Sequence, residues 1–86
     1  MTKELIEAHR PLVGEKVVEI GTSVAAPYAG WILGGLGADV IKVERPHVGD
    51  DARQWGKLFP DGSSSYFHAL NRDKRGITID LRNKNE

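Results

Sequence analysis

The chain has no cysteine, so disulfide staples, thiolate nucleophiles and sulfur metal ligands are excluded together. No apolar run approaches the roughly 20 residues of a membrane-spanning helix, and no membrane partner is expected. Excess charge is missing too. Twelve Lys and Arg balance twelve Asp and Glu, which argues against a nucleic-acid or membrane partner held by bulk electrostatics. The patterns G-x-x-x-x-G-K-[ST] and H-E-x-x-H do not occur, and His9, His47 and His68 are scattered without metal-ligand spacing. Ser63, Ser64 and Ser65 lack the strand, glycine and helix that surround a serine nucleophile. Asp50 and Asp51 stand without the further oxygen ligands a cation needs and read as solvated acids. No catalytic centre is complete, and no metal site is expected.

The N-terminus MTKELIEAHR is charged from Lys3 and has no apolar core. No targeting peptide is read there, and a cytoplasmic location is expected. At 86 residues the chain is at most one small domain, marginal without staples, and is expected to be an incomplete part of a longer protein.

What is present is organised around Val17 to Pro46, VVEIGTSVAAPYAGWILGGLGADVIKVERP. Val17, Val18 and Ile20 form one β-branched apolar run, and Val40, Ile41 and Val43 form another. Both suit strands of a parallel sheet covered on both faces. The stretch between them is long enough for a crossover helix and too long for a hairpin. An α/β fold follows, a partial Rossmann-like parallel sheet.

Before this unit, Thr2 can cap a short helix running to Arg10, ended by Pro11. His9 suits the dipole at that helix's C-terminal end. After the first strand, Gly21-Thr22-Ser23-Val24-Ala25-Ala26 offers only part of the G-x-G-x-x-G fingerprint. Small side chains there would still expose backbone N–H groups where the next helix begins, a place that favours an anion or a polar carbonyl. That helix is predicted from about Pro27 to Leu36, with Gly35 and Gly37 ending it. Ala26, Gly30 and Gly34, four apart, form a smooth stripe for close packing.

Glu44 and Arg45 fall at the end of the second strand, where a Rossmann-type unit places a ribose-binding acid. An arginine there suits a phosphate or an adenine face. A surface cluster of Lys42, Glu44 and Arg45 is the plainer alternative, and position alone leaves the two level. From Pro46 to Ser64 the chain reads as an ordered loop, because Trp55, Leu58 and Phe59 ask for packing. Ser65 can cap a helix over Tyr66 to Leu70, Asp73 to Gly76 read as a turn, and Ile77 to Leu81 alternate as a strand. The basic run from Arg72 to Lys84 reads as a solvated face.

The strings GGLGADVIKVERP and NRDKRGITIDL, preceded by VVEIGTSVAAPYAGWIL, resemble the N-terminus of family III coenzyme A transferases, the group with formyl-CoA transferase and the carnitine-linked CaiB enzymes. The resemblance runs from about Pro11 to Arg82. It implies that the chain is a CoA-binding N-terminal segment of an enzyme moving CoA between carboxylic acids. Val24 and Ala25 match the turn along the CoA chain near the thioester, and Arg45 matches a contact to the ADP end. Ile79, Asp80, Leu81 and Arg82 match a segment bordering the adenine nucleotide, Arg82 standing where the family often has lysine. Coenzyme A and acyl-CoA are then substrates, and no covalently bound cofactor is implied. In the family an aspartate beyond these residues forms a mixed anhydride and then an aspartyl-CoA thioester, so no residue here is assigned as catalytic. The resemblance also implies a homodimer of a longer chain. Two departures stand out: Thr22-Ser23-Val24 replaces polar residues of some members, and Arg82 to Asn85 lacks a common proline-glutamate-glycine continuation. An α-methylacyl-CoA racemase shares such a fold and CoA site, but the long Trp55 to Phe59 loop favours the transferase. A noncatalytic nucleotide-binding module or inactive truncated product is the remaining alternative.

Overall fold

The computed structural model describes residues 9–85. The N-terminal helix predicted from Thr2 to Arg10 lies outside that range except for its last two positions. In chain order come strand β1 (Lys16–Glu19), helix α1 (Ala25–Gly35), strand β2 (Asp39–Glu44), a 3-10 turn (Asp51–Gln54), helix α2 (Ser65–Leu70) and strand β3 (Arg75–Thr78). The strands form one sheet in the order β1-β2-β3. Both pairings are parallel, with Val17 opposite Val40 and Val43 opposite Ile77. The chain is therefore α/β, with each return to the sheet made through a helix-containing connection.

Helix α1 begins two residues before the predicted start, with Pro27 in its first turn, where a missing N–H costs nothing. It ends as the glycines suggest: Gly37 takes φ +108° and donates to Gly34 O at 3.0 Å, which uses a carbonyl the helix leaves unpaired. Strand β3 is displaced from the prediction, running Arg75–Thr78 rather than Ile77 to Leu81. Register decides this, because Arg75 and Gly76 already pair with Ile41 and Lys42, and the chain turns at Asp80, whose carboxylate accepts from Arg82 N. Ser64, not Ser65, caps α2. The Ser64 hydroxyl accepts from Phe67 N and shares its proton between the carbonyls of Ala52 and Trp55. That makes Ser64 a buried tie from α2 to the 3-10 turn. The Pro46 to Ser64 segment is ordered as expected. Trp55 packs edge-on against Tyr66, and Phe59 against His68.

Among the described residues α1 covers one face of the sheet and the other is largely open, although Val43 on it is buried. Alternation places Val17, Glu19, Val40 and Lys42 on the side of α1, where Gly34 approaches Val40. Val18 and Ile77 point the other way and are 61% and 43% exposed. The expectation of two covered faces is thus not met among the described residues: α1 covers one side, while Val18 and Ile77 on the other side face solvent. No helix among the described residues is long and apolar enough to cross a membrane.

Candidate functional site

A groove of 770 Å³ opens at the carboxyl ends of all three strands. Arg45, Pro46, His47 and Val48 follow β2 on one side, and Ile79, Asp80, Leu81 and Arg82 follow β3 on the other, with Ile20 and Thr22 after β1 completing it. The Ile79 N–H continues the ladder to Glu44 O at 3.0 Å, which fixes the two lips relative to each other. Open parallel α/β sheets bind ligands outside the carboxyl ends of their strands, and the groove lies there.

Five of the seven residues predicted for the site, Arg45 and Ile79 to Arg82, line this one groove. Val24 and Ala25 do not. They stand exposed at the start of α1, beyond Thr22, and Val24 occupies the N-cap position without a side-chain hydrogen bond. Arg45 donates through Nε to Gly49 O at 3.0 Å and through Nη2 to Asp51 Oδ1 at 2.6 Å, so two of its five donors are used inside its own loop. Its side chain stays 56% exposed. Arg82 is more open still and reaches back to Asp80 Oδ1 at 3.4 Å. Hydrogen bonds from the Arg82 N–H and side chain hold the Asp80 carboxyl below its ordinary value.

Glu44 also lines the groove but is already engaged by its own neighbours. It accepts from Arg53 Nε at 2.7 Å, from Arg53 Nη2 at 2.6 Å and from Asp50 N at 2.8 Å, and Arg53 lies 3.8 Å over the Phe67 ring. The Arg53 hydrogen bond holds the Glu44 carboxyl below its usual 4.5, outweighing burial. This contribution to stability is complete above pH 4.5 and is lost as pH falls through the lower folded value. Arg53→Met is therefore expected to move the midpoint of acid unfolding to higher pH, read by circular dichroism against pH. An unchanged midpoint would contradict the pairing.

Beneath the groove lies a charged cluster that the residue reading missed. Lys42, read as part of a surface cluster, is 2% exposed, and Asp50, read as solvated, is 1% exposed. Lys42 Nζ sits 2.7 Å from Glu19 Oε2 and 2.8 Å from Asp50 Oδ2. Glu19 Oε1 in turn meets Lys74 Nζ at 2.5 Å, and Lys74 donates to Pro27 O at 2.9 Å and to Asn71 Oδ1 at 2.7 Å. Lys74 thus leaves the solvated basic run to which it was assigned. Burial pushes its ammonium below the ordinary value against the attraction of Glu19. Asp50 Oδ1 accepts from Ser23 N and Ala52 N, both at 2.9 Å. One of the turn donors predicted for a ligand is therefore already taken by Asp50. The stripe on α1 has the same cause: a Cβ on Gly30 would collide with Glu19 Oε1. The sequence carried a signal for this cluster, since Glu19 and Lys42 interrupt otherwise apolar strands at positions that pair directly.

Residues 12–86 match the model of CoA-transferase family III. The chain is 50% identical over 78 residues to a succinate–glutarate CoA-transferase of Agrobacterium fabrum, covering 84% of this chain and 20% of that protein. It is 44% identical over 73 residues to the human succinyl-CoA:glutarate CoA-transferase, covering 85% of this chain and 17% of the relative. Among solved structures, a CaiB/BaiF family protein from Brucella suis superposes with a TM-score of 0.79 at 51% identity, over 90% of this chain and 21% of that one. The chain thus spans about a fifth of the length of these proteins.

Proposed function

Because the chain belongs to CoA-transferase family III, we propose that it is the N-terminal, coenzyme A-binding part of an enzyme that moves CoA between carboxylic acids. The route is through an aspartyl anhydride and an aspartyl-CoA thioester, with the nucleophilic aspartate outside these 86 residues. The observation that carries this is the convergence of Arg45 with Ile79 to Arg82 on one groove at the strand ends. An adenine nucleotide fits its chemistry: Ile20, Val43, Ile79 and Leu81 offer an apolar face, and Arg45 and Arg82 offer guanidinium groups to phosphate. The pantetheine arm then runs past Thr22 toward Val24 and Ala25. The CoA thiolate expelled as the anhydride forms must stay in place to attack the aspartyl carbonyl and release the first acid, and a grip on the nucleotide end retains it without touching the reacting carbonyl.

The names of the relatives point to dicarboxylic acids such as succinate and glutarate as the exchanging pair, and the proposed working form is a cytoplasmic homodimer of the longer chain. The 86 residues alone are expected to show no turnover of succinyl-CoA with glutarate. The full-length polypeptide that carries them is expected to bind CoA by calorimetry and to exchange the two acids. Turnover by the segment alone would overturn the placement of the nucleophile, and a full-length protein that does not bind CoA would overturn the reading itself.

A further inference from the structure

The buried cluster touches the Gly21 to Pro27 turn at both ends. Asp50 holds its entry through Ser23 N, and Lys74 holds its exit through Pro27 O. Between these anchors Glu19 and Lys42 form a continuous chain of charge: Asp50 to Lys42, Lys42 to Glu19, Glu19 to Lys74. Ser23 sits at φ +71°, a backbone region that a non-glycine residue seldom occupies without something to hold it there. Asp50 also belongs to the loop that presents Arg45, whose Nε binds Gly49 O one residue earlier. The thioester-side turn and the nucleotide-side loop are therefore fastened together through one buried carboxylate.

Resting on the reading of a CoA site given above, we propose that Asp50, charged and clamped by Lys42, is a positioning residue for the Val24–Ala25 turn, setting where the thioester end of CoA lies relative to its nucleotide end. Charge is essential to this role. An asparagine at position 50 would have to aim its amide NH₂ either at the Lys42 ammonium or at the Ser23 and Ala52 N–H groups, donor against donor in both orientations. The left-handed turn at Ser23 then loses its anchor, while Arg45 keeps its bond to Gly49.

The test uses the full-length polypeptide that carries this segment, as wild type, Asp50→Asn and Glu19→Gln. The second variant weakens the same chain of charge from the Lys74 side. Affinities are measured separately for adenosine bisphosphate, which reports the nucleotide end, and for succinyl-pantetheine, which reports the thioester end. Both variants are expected to leave the nucleotide affinity at the wild-type value. Each should weaken succinyl-pantetheine binding and lower kcat about 10- to 100-fold, the scale on which small misplacements act. Amide exchange at Ser23 is expected to be slow in wild type and fast in Asp50→Asn. Equal losses for both ligands would reduce the cluster to general stability, and no loss for either would remove its positioning role; each result overturns the proposal. If wild type binds neither ligand, the CoA reading fails instead, and Ser23 exchange still decides whether Asp50 holds the turn.

Discussion

Lys42→Met is expected to destabilise the fold by about 3 to 5 kcal/mol, the range for removing one partner from a buried ion pair. Methionine fills much of the volume of lysine and keeps its reach along the sheet, so the effect isolates the charge from the packing. What remains are the Glu19 and Asp50 carboxylates, both nearly devoid of solvent contact, with Lys74 paired to Glu19 and the direct ion pair at Asp50 lost. Domains of this size have total stabilities of only about 5 to 15 kcal/mol, so much of the margin goes with one ammonium. Urea unfolding of the full-length polypeptide is the measurement, with a lowered midpoint expected at unchanged slope. A loss below about 1 kcal/mol would place Lys42 among surface pairs, whose typical worth is that small, and would overturn the buried assignment. Arg75→Met is the internal comparison. Arg75 and Asp39 make a well-formed but exposed pair, and its removal is expected to be nearly neutral.

Arg45→Ala is expected to weaken CoA binding by about 1.5 to 3 kcal/mol, the worth of hydrogen bonds to charged groups. That corresponds to about 10- to 150-fold in Kd. Lysine should restore part of it, keeping the charge but not the planar fork that stacks on adenine. The Michaelis constant of every acyl-CoA donor should rise alike while that of the acid changes little, because the nucleotide end binds ground and transition states similarly. The structure adds a control. Arg45 also braces its own loop through Gly49 O and Asp51, so a loss on mutation has two physical sources. Asp51→Asn releases the guanidinium from a carboxylate and leaves the Gly49 contact, so affinity is expected to hold. Titration of all variants with CoA and with nucleotide-free pantetheine separates the cases. Equal affinity of wild type and Arg45→Ala for intact CoA refutes the role of Arg45, as does an equal drop for the nucleotide-free analogue.

The elements were legible where local chemistry and packing agree. β-branched runs at Val17 and Val40, prolines and glycines at the ends of α1, and the length of the crossover each point to the same parallel unit. Arg45 was legible from its place at the end of the second strand, whereas Ile79 to Arg82 came from the family resemblance, and the adjacency of β2 and β3 brings both to one groove. The bounds of β3 were not, since alternation from Ile77 to Leu81 is equally satisfied by a strand shifted two residues, and only pairing with β2 selects the register. Asp50 and Lys42 were misplaced for a different reason. A charged residue ordinarily signals solvent, and burial becomes acceptable only when partners from distant parts of the chain arrive together. Those partners, Glu19, Lys42, Asp50 and Lys74, are scattered along the sequence, and composition does not announce their meeting.

The order in which the chain can fold follows from that same cluster. Residues 9–44 contain β1, α1 and β2, and by element count they look like a self-sufficient unit. They hold only Glu19 and Lys42 of the four charges, so burying their sheet face would strip two ions of water with one contact between them. Asp50 follows β2 by a short loop, whereas Lys74 arrives only after a further loop and α2 have closed, and the ends of the Glu19–Lys74 contact lie far apart along the chain. Contacts of such long range slow folding, because the loop entropy is lost before the contact is made. The smallest cooperative unit is therefore expected to extend past Lys74, and a nascent chain released before Lys74 has emerged is expected to hold an open, hydrated sheet rather than half of a finished fold.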